Sequence, residues 1–173
     1  MAVFALPLAL LVVAVVLGLA YGGGPSRGGG TPDDRPLALS PVEAPDAATP
    51  ACDRLLGRLR GDLPADPAPL PALRIAAPAP PGSVAWAGPA DRPDDPVVLR
   101  CGLPRPPELT PTSALIVING VGWLDLAEPD RDTFVAVDRE VYLAVTVPRG
   151  LGTGPIQTVS DVVGTALRPR PSR

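Results

Sequence analysis

Residues 114–148 read ALIVINGVGWLDLAEPDRDTFVAVDREVYLAVTVP. Four short apolar runs, Ala114–Asn119, Gly122–Leu126, Thr133–Val137 and Val141–Val147, are rich in Val, Ile and Leu and bounded by turn residues. Runs of this length and composition predict strands rather than helices. Asn119-Gly120 separates the first two, and both residue types tolerate positive φ, so a tight two-residue hairpin is expected there. Asp138-Arg139 lies between two alternating apolar runs and is read as a second hairpin turn, although it lacks the favoured glycine. Consecutive strands joined this closely must run antiparallel, because a parallel return needs a crossover of a dozen residues or more.

Working outward, Ser83–Ala87 and Val97–Cys101 add two strands, and Leu73–Ala76 a short extended piece. A helix is expected on each side of this sheet. In the first, Thr49 caps, Pro50 takes the first helical position and Gly61 terminates. Its Ala51, Cys52, Leu55, Leu56 and Leu59 share one face, with Asp53, Arg54, Arg58 and Arg60 largely opposite. In the second, Thr153 caps, Pro155 is early, and Ile156, Val159, Val163 and Leu167 form an apolar stripe. The expected class is therefore α+β: a mostly antiparallel sheet with an N-terminal and a C-terminal helix on one face. This domain spans 49–168, with 169–173 as a disordered tail.

Residues 2–21, AVFALPLALLVVAVVLGLAY, carry no charge. At about 1.5 Å per residue such a helix spans roughly 30 Å, the thickness of a bilayer's hydrocarbon core. Residues 1–21 are accordingly read as a membrane anchor or signal segment. The length favours an uncleaved, single-pass transmembrane helix in the cell membrane with the C-terminal domain outside; the alternative is secretion after cleavage near Ala20, where Gly18 and Ala20 supply small residues. No basic stretch precedes the run, and Arg27 is the only basic residue close to it. Residues 22–48, first Gly-rich and then Pro-rich, read as a flexible linker.

The 173-residue chain has 26 prolines and 18 glycines, a net charge of −3, and no histidine. Every one of its 15 basic residues is arginine. Absent histidine excludes Ser-His-Asp and Cys-His catalysis and His-ligated zinc. Absent lysine excludes a Walker-A site and Schiff-base chemistry. The mild acidic balance offers no footprint for nucleic acid. No cofactor, metal or catalytic residue is expected.

The two cysteines, Cys52 and Cys101, fall on the inner face of the first helix and at the end of a buried strand. In an exported domain they are expected to form a structural disulfide across the Pro-rich stretch between them. The alternative is a reactive thiol beside Arg100, but it lacks both a C-x-x-C spacing and a histidine base.

The segments PVVLRCGLPRP (96–106), VINGVGW (117–123), FVAVDREVYLAVTVP (134–148) and GTGPIQTVSD (152–161) occur in one order. Through them the chain resembles the actinobacterial domain-of-unknown-function family 3515, from about Ala51 to Leu167. The resemblance implies a cell-envelope location and a domain on the outer side of the membrane; it implies no activity.

Several constellations deserve weighing as sites. Gly152-Thr153-Gly154 ahead of a helix, with Arg149 and Gln157, forms a possible anion or ligand contact through backbone N–H groups. A plain loop with a helix cap explains the same residues. Asp91, Asp94 and Asp95 suggest oxygen ligands for a cation or acid/base chemistry, against a solvated turn; Asp130 and Asp132 raise the same pair of readings. Trp86 and Trp123 suit either a sugar-stacking face or a core, and the core is the expected place. The expected function is a membrane-anchored, non-catalytic binding or structural role in the envelope, with an envelope protein or wall component as partner. The alternatives are an Asp-dependent envelope hydrolase and a thiol-redox protein.

Overall fold

The structure is a computed structural model that describes residues 35–172. The expected anchor or signal segment, 1–21, and the first part of the expected linker lie outside the described residues.

The element order is α1 (Pro50–Arg58), β1 (Ala72–Leu73), β2 (Ser83–Trp86), β3 (Val97–Leu103), β4 (Ile116–Ile118), β5 (Val121–Ala127), β6 (Arg131–Ala136), β7 (Tyr142–Pro148) and α2 (Gly154–Ala166). The seven strands form one sheet in the order β1-β2-β3-β7-β6-β5-β4, and every neighbouring pair is antiparallel. This is the expected α+β class. The meander β4-β5-β6-β7 is the quoted stretch, and β3 closes onto β7 rather than β4. Asn119 and Gly120 adopt φ of 49° and 77°, which is the conformation a two-residue hairpin demands.

Strand alternation sorts the side chains to two faces. On one face Leu99, Cys101, Trp123, Leu143 and Val145 meet Cys52 and Leu55 of α1 and Ile156, Val159 and Val163 of α2. Trp86 and Trp123 are 1% and 0% exposed, so both tryptophans are core residues. Each indole N–H finds an acceptor: Trp86 Nε1 donates to Gly61 O at 2.9 Å, and Trp123 Nε1 to Ser160 Oγ at 3.0 Å. On the opposite face Leu109 covers Leu124, Val135, Val137 and Ala144.

Neither helix start uses its threonine as expected. Thr49 Oγ1 donates to Asp46 O, and Thr153 Oγ1 accepts from Gln157 Nε2; neither caps its helix through the side chain. Helix α1 stops at Arg58, and Leu59 N bonds back to Leu56 O in a tighter final turn.

The fold also begins earlier and ends later than composition suggested. Within the expected linker 22–48, Leu37 forms a parallel bridge with Ile75, and Ala47 is buried. Asp46 N donates to Gly102 O at 3.0 Å. Gly102 has φ +85°, and a Cβ there would lie 2.2 Å from Ala47 N, so only glycine lets the segment dock. At the other end, within the expected tail 169–173, Pro169 bridges Arg139 and Arg170 N donates to Asp138 O at 2.8 Å.

Asp138-Arg139 does not make a two-residue turn. The ladder between β6 and β7 stops at Ala136↔Leu143, leaving a wider connection. Arg139 turns inward, 7% exposed, and donates to Gly120 O at 2.7 Å and Asp138 O at 3.0 Å; its NH1 lies 2.8 Å from Asp138 Oδ1. The other Asp138 oxygen accepts from Gly122 N at 2.8 Å. The bonds to Gly120 O and from Gly122 N join the loop to the hairpin, and a partly buried ion pair holds the two side chains that make them.

Candidate functional site

Cys52 and Cys101 form a disulfide, with Cα atoms 5.7 Å apart and both residues 0% exposed. It pins α1 to the middle of the sheet, across a sequence separation of 49. Sulfurs sealed in this way are out of reach of a redox partner, which is how a structural bridge differs from a catalytic one.

The expected ligand contact at Arg149, Gly152, Thr153, Gly154 and Gln157 is divided. Arg149 turns toward the β5–β6 connection, where NH2 donates to Glu128 O and meets Asp132 Oδ1 at 3.1 Å. Arg92 reaches across to Arg149 O at 3.2 Å while pairing with Asp95 at 3.5 Å and Asp91 at 3.7 Å. These contacts tie three surface turns together, and exposed pairs of this kind contribute about 0–1 kcal/mol each. Gln157 belongs to a separate group: its side chain stays on Thr153, and its carbonyl accepts from Asn119 Nδ2 at 3.3 Å. No contact joins it to Arg149 among the described residues. Nor do three His, Cys, Asp or Glu side chains gather as a metal site among those residues.

A cleft of 480 Å³ opens between the start of α1 and the 138–141 loop, lined by Asp46, Thr49, Pro50, Arg54, Glu140 and Arg170. Its central charges are already committed to each other. Arg54 NH2 meets Glu140 Oε1 at 2.6 Å, and the same oxygen accepts from Arg168 N at 3.1 Å.

Strand β4 is different, because its bonding capacity is unspent. It is an outer strand of the sheet, with Ile116 45% and Val117 72% exposed. The register settles which backbone groups face outward. Ile118 and Val121 flank the two-residue turn and bond to each other, so Val117, opposite Gly122, is a non-hydrogen-bonded pair. Gly122 confirms it: its N–H goes to Asp138 and its carbonyl accepts from Val137 N at 3.1 Å, both away from β4. The N–H and C=O of Val117 therefore point off the sheet. From Leu109 to Leu124 the sequence has no charged residue to guard this edge. The apolar pattern of 114–119 foretold the strand, but its edge position follows from β3 pairing with β7, which no local signal encodes.

A family described as "Protein of unknown function (DUF3515)" matches residues 5–172, nearly the whole chain. The chain belongs to the DUF3515 family. No curated protein and no solved structure matches it. Among the described residues of this DUF3515 protein, no helix is long and apolar enough to cross a membrane; the apolar run 2–21 lies outside them.

Proposed function

We propose that this DUF3515 protein is an exported, membrane-tethered binding module of the cell envelope. It takes an extended segment of an envelope protein onto β4 as an additional strand. The observation that carries the reading is Val117: 72% exposed, on an uncharged sheet edge, with its backbone donor and acceptor directed outward. Strand addition is the association that such an edge favours, since the ladder supplies affinity and alternate side chains supply selectivity. The uncharged edge fits a partner segment that is itself apolar and uncharged. The buried disulfide agrees with folding in an oxidising compartment, and the uncharged run 2–21 with delivery there.

Proline at position 117 tests this directly. Because the Val117 N–H serves no bond to β5, Val117→Pro removes the outward donor while leaving the β4–β5 ladder in place. A photo-crosslinker at Leu115 of the full chain, in native membranes, should attach to one defined extended segment of one protein. That adduct should fall at least about tenfold in Val117→Pro, as expected for loss of backbone pairing. An adduct equally strong in Val117→Pro, or no more frequent than one from exposed Arg74, would overturn strand addition at β4.

A further inference from the structure

The sheet face turned away from the helices carries an arginine that pairs with no side chain among the described residues. Arg100 stands in β3, opposite Ser83 of β2 on one side and Ala144 of β7 on the other. The next row along the same face is Ala85, Val98, Thr146 and Thr133. In that row the polar groups satisfy each other, with the two threonine hydroxyls 3.1 Å apart. In the Arg100 row they do not. Arg100 NH1 and Ser83 Oγ are both sealed from solvent, and neither has a hydrogen-bond partner among the described residues.

Among the described arginines only Arg100 and Arg139 are not exposed. Arg139 has Asp138 and two carbonyls. Arg100 has no carboxylate among the described residues, and burial pushes its guanidinium below the usual value. A half-buried cation without a counter-charge is costly, and native proteins keep such groups where they are used.

We propose that Arg100 and Ser83 form a binding site for a monoanionic carboxylate, which reaches the two sealed atoms by displacing the side chains that cover them. The guanidinium fork donates side by side to the two carboxylate oxygens, and the Ser83 hydroxyl donates to one of them. One positive charge matches one negative charge; a phosphate dianion would remain half uncompensated among the buried Ala85, Val98 and Ala144. The same apolar neighbours favour a carboxylate attached to a small apolar body. The site lies four strand spacings from β4, roughly 19 Å at about 4.8 Å each, and is independent of strand addition there.

The experiment titrates the full chain, in mild detergent at constant ionic strength, with sodium acetate, N-acetylalanine and inorganic phosphate. The readout is the NMR resonance of the Arg100 Nε–Hε group, assigned by its loss in Arg100→Met, together with calorimetry. The carboxylates should move that resonance saturably, with a Kd on the order of 1 mM, and phosphate should bind at least about tenfold more weakly. Ser83→Ala, which keeps the fold and the assigned resonance, should weaken the carboxylate about threefold or more. N-acetylalanine binding tenfold tighter than acetate assigns the site to a peptide C-terminus; equal affinities assign it to a free small acid. No saturable shift below about 50 mM, calorimetric binding that survives Arg100→Met, an unaltered affinity in Ser83→Ala, or a preference for phosphate would each overturn the proposal.

Discussion

Breaking the Cys52–Cys101 bridge should cost this fold a large share of its stability, and the amount can be worked from the chain itself. The bridge closes a loop with a sequence separation of 49. In the chain-entropy treatment a loop of this length contributes about 4 kcal/mol, chiefly by restricting the unfolded ensemble. For a body of this size that corresponds to a fall in Tm of roughly 12–20 °C. Two comparisons separate cross-linking from packing. Reduced wild type keeps both sulfur atoms, whereas Cys52→Ala with Cys101→Ala also removes them from a fully buried position. Both should lose about 4 kcal/mol in urea denaturation, the alanine pair somewhat more because it leaves small cavities. The urea m-value should rise in both, since an unfolded chain freed of its loop exposes more surface. Reductant should also act slowly on the native protein, because neither sulfur is exposed. A loss below about 1 kcal/mol in reduced wild type, with m unchanged, would refute the view that the cross-link rather than local packing holds α1 to the sheet.

Two further changes probe the loops that the sheet leaves behind. Asp138→Ala should cost about 3 kcal/mol in chemical denaturation, because Arg139 keeps its burial but loses its carboxylate and Gly122 N loses its acceptor. Asp138→Asn, which still accepts from Gly122, should cost about half as much. Gly102→Ala should cost about 3 kcal/mol or more and speed hydrogen exchange at the Asp46 amide, since a Cβ there meets Ala47 N at 2.2 Å on a backbone of φ +85°.

What could be read in advance was what local chemistry determines. Asn119-Gly120 specified its own turn, Thr49-Pro50 and Thr153-Gly154-Pro155 located the two helix starts, and the inward face of α1 put Cys52 on the side of the sheet. The residues that escaped are those whose roles depend on partners far along the chain. Leu37 looks like linker until Ile75 offers it a bridge, and Ala47 looks exposed until Gly102 makes room for it. Sequence proximity groups Arg149 with the 152–157 loop, but strand pairing brings Asp132 nearer. In the sequence Arg100 stands out only as the neighbour of Cys101. Its isolation follows from register, which placed Ser83 and Ala144 beside it instead of a carboxylate.

The bridge also sets the route by which mechanical tension crosses the molecule. A pull applied upstream of Arg35 meets the Leu37 and Asp46 attachments first, then enters α1 and within three residues reaches Cys52. From there the covalent path leaves the main chain and passes through sulfur to Cys101, in a strand bonded on both sides. Residues 53–100, with most of α1 and the Pro-rich stretch, sit on a side branch that the pull does not stretch. The Pro-rich stretch is thereby kept off the covalent line from the N-terminal side to the sheet, and a domain tugged at its N-terminal end transmits that force to β3.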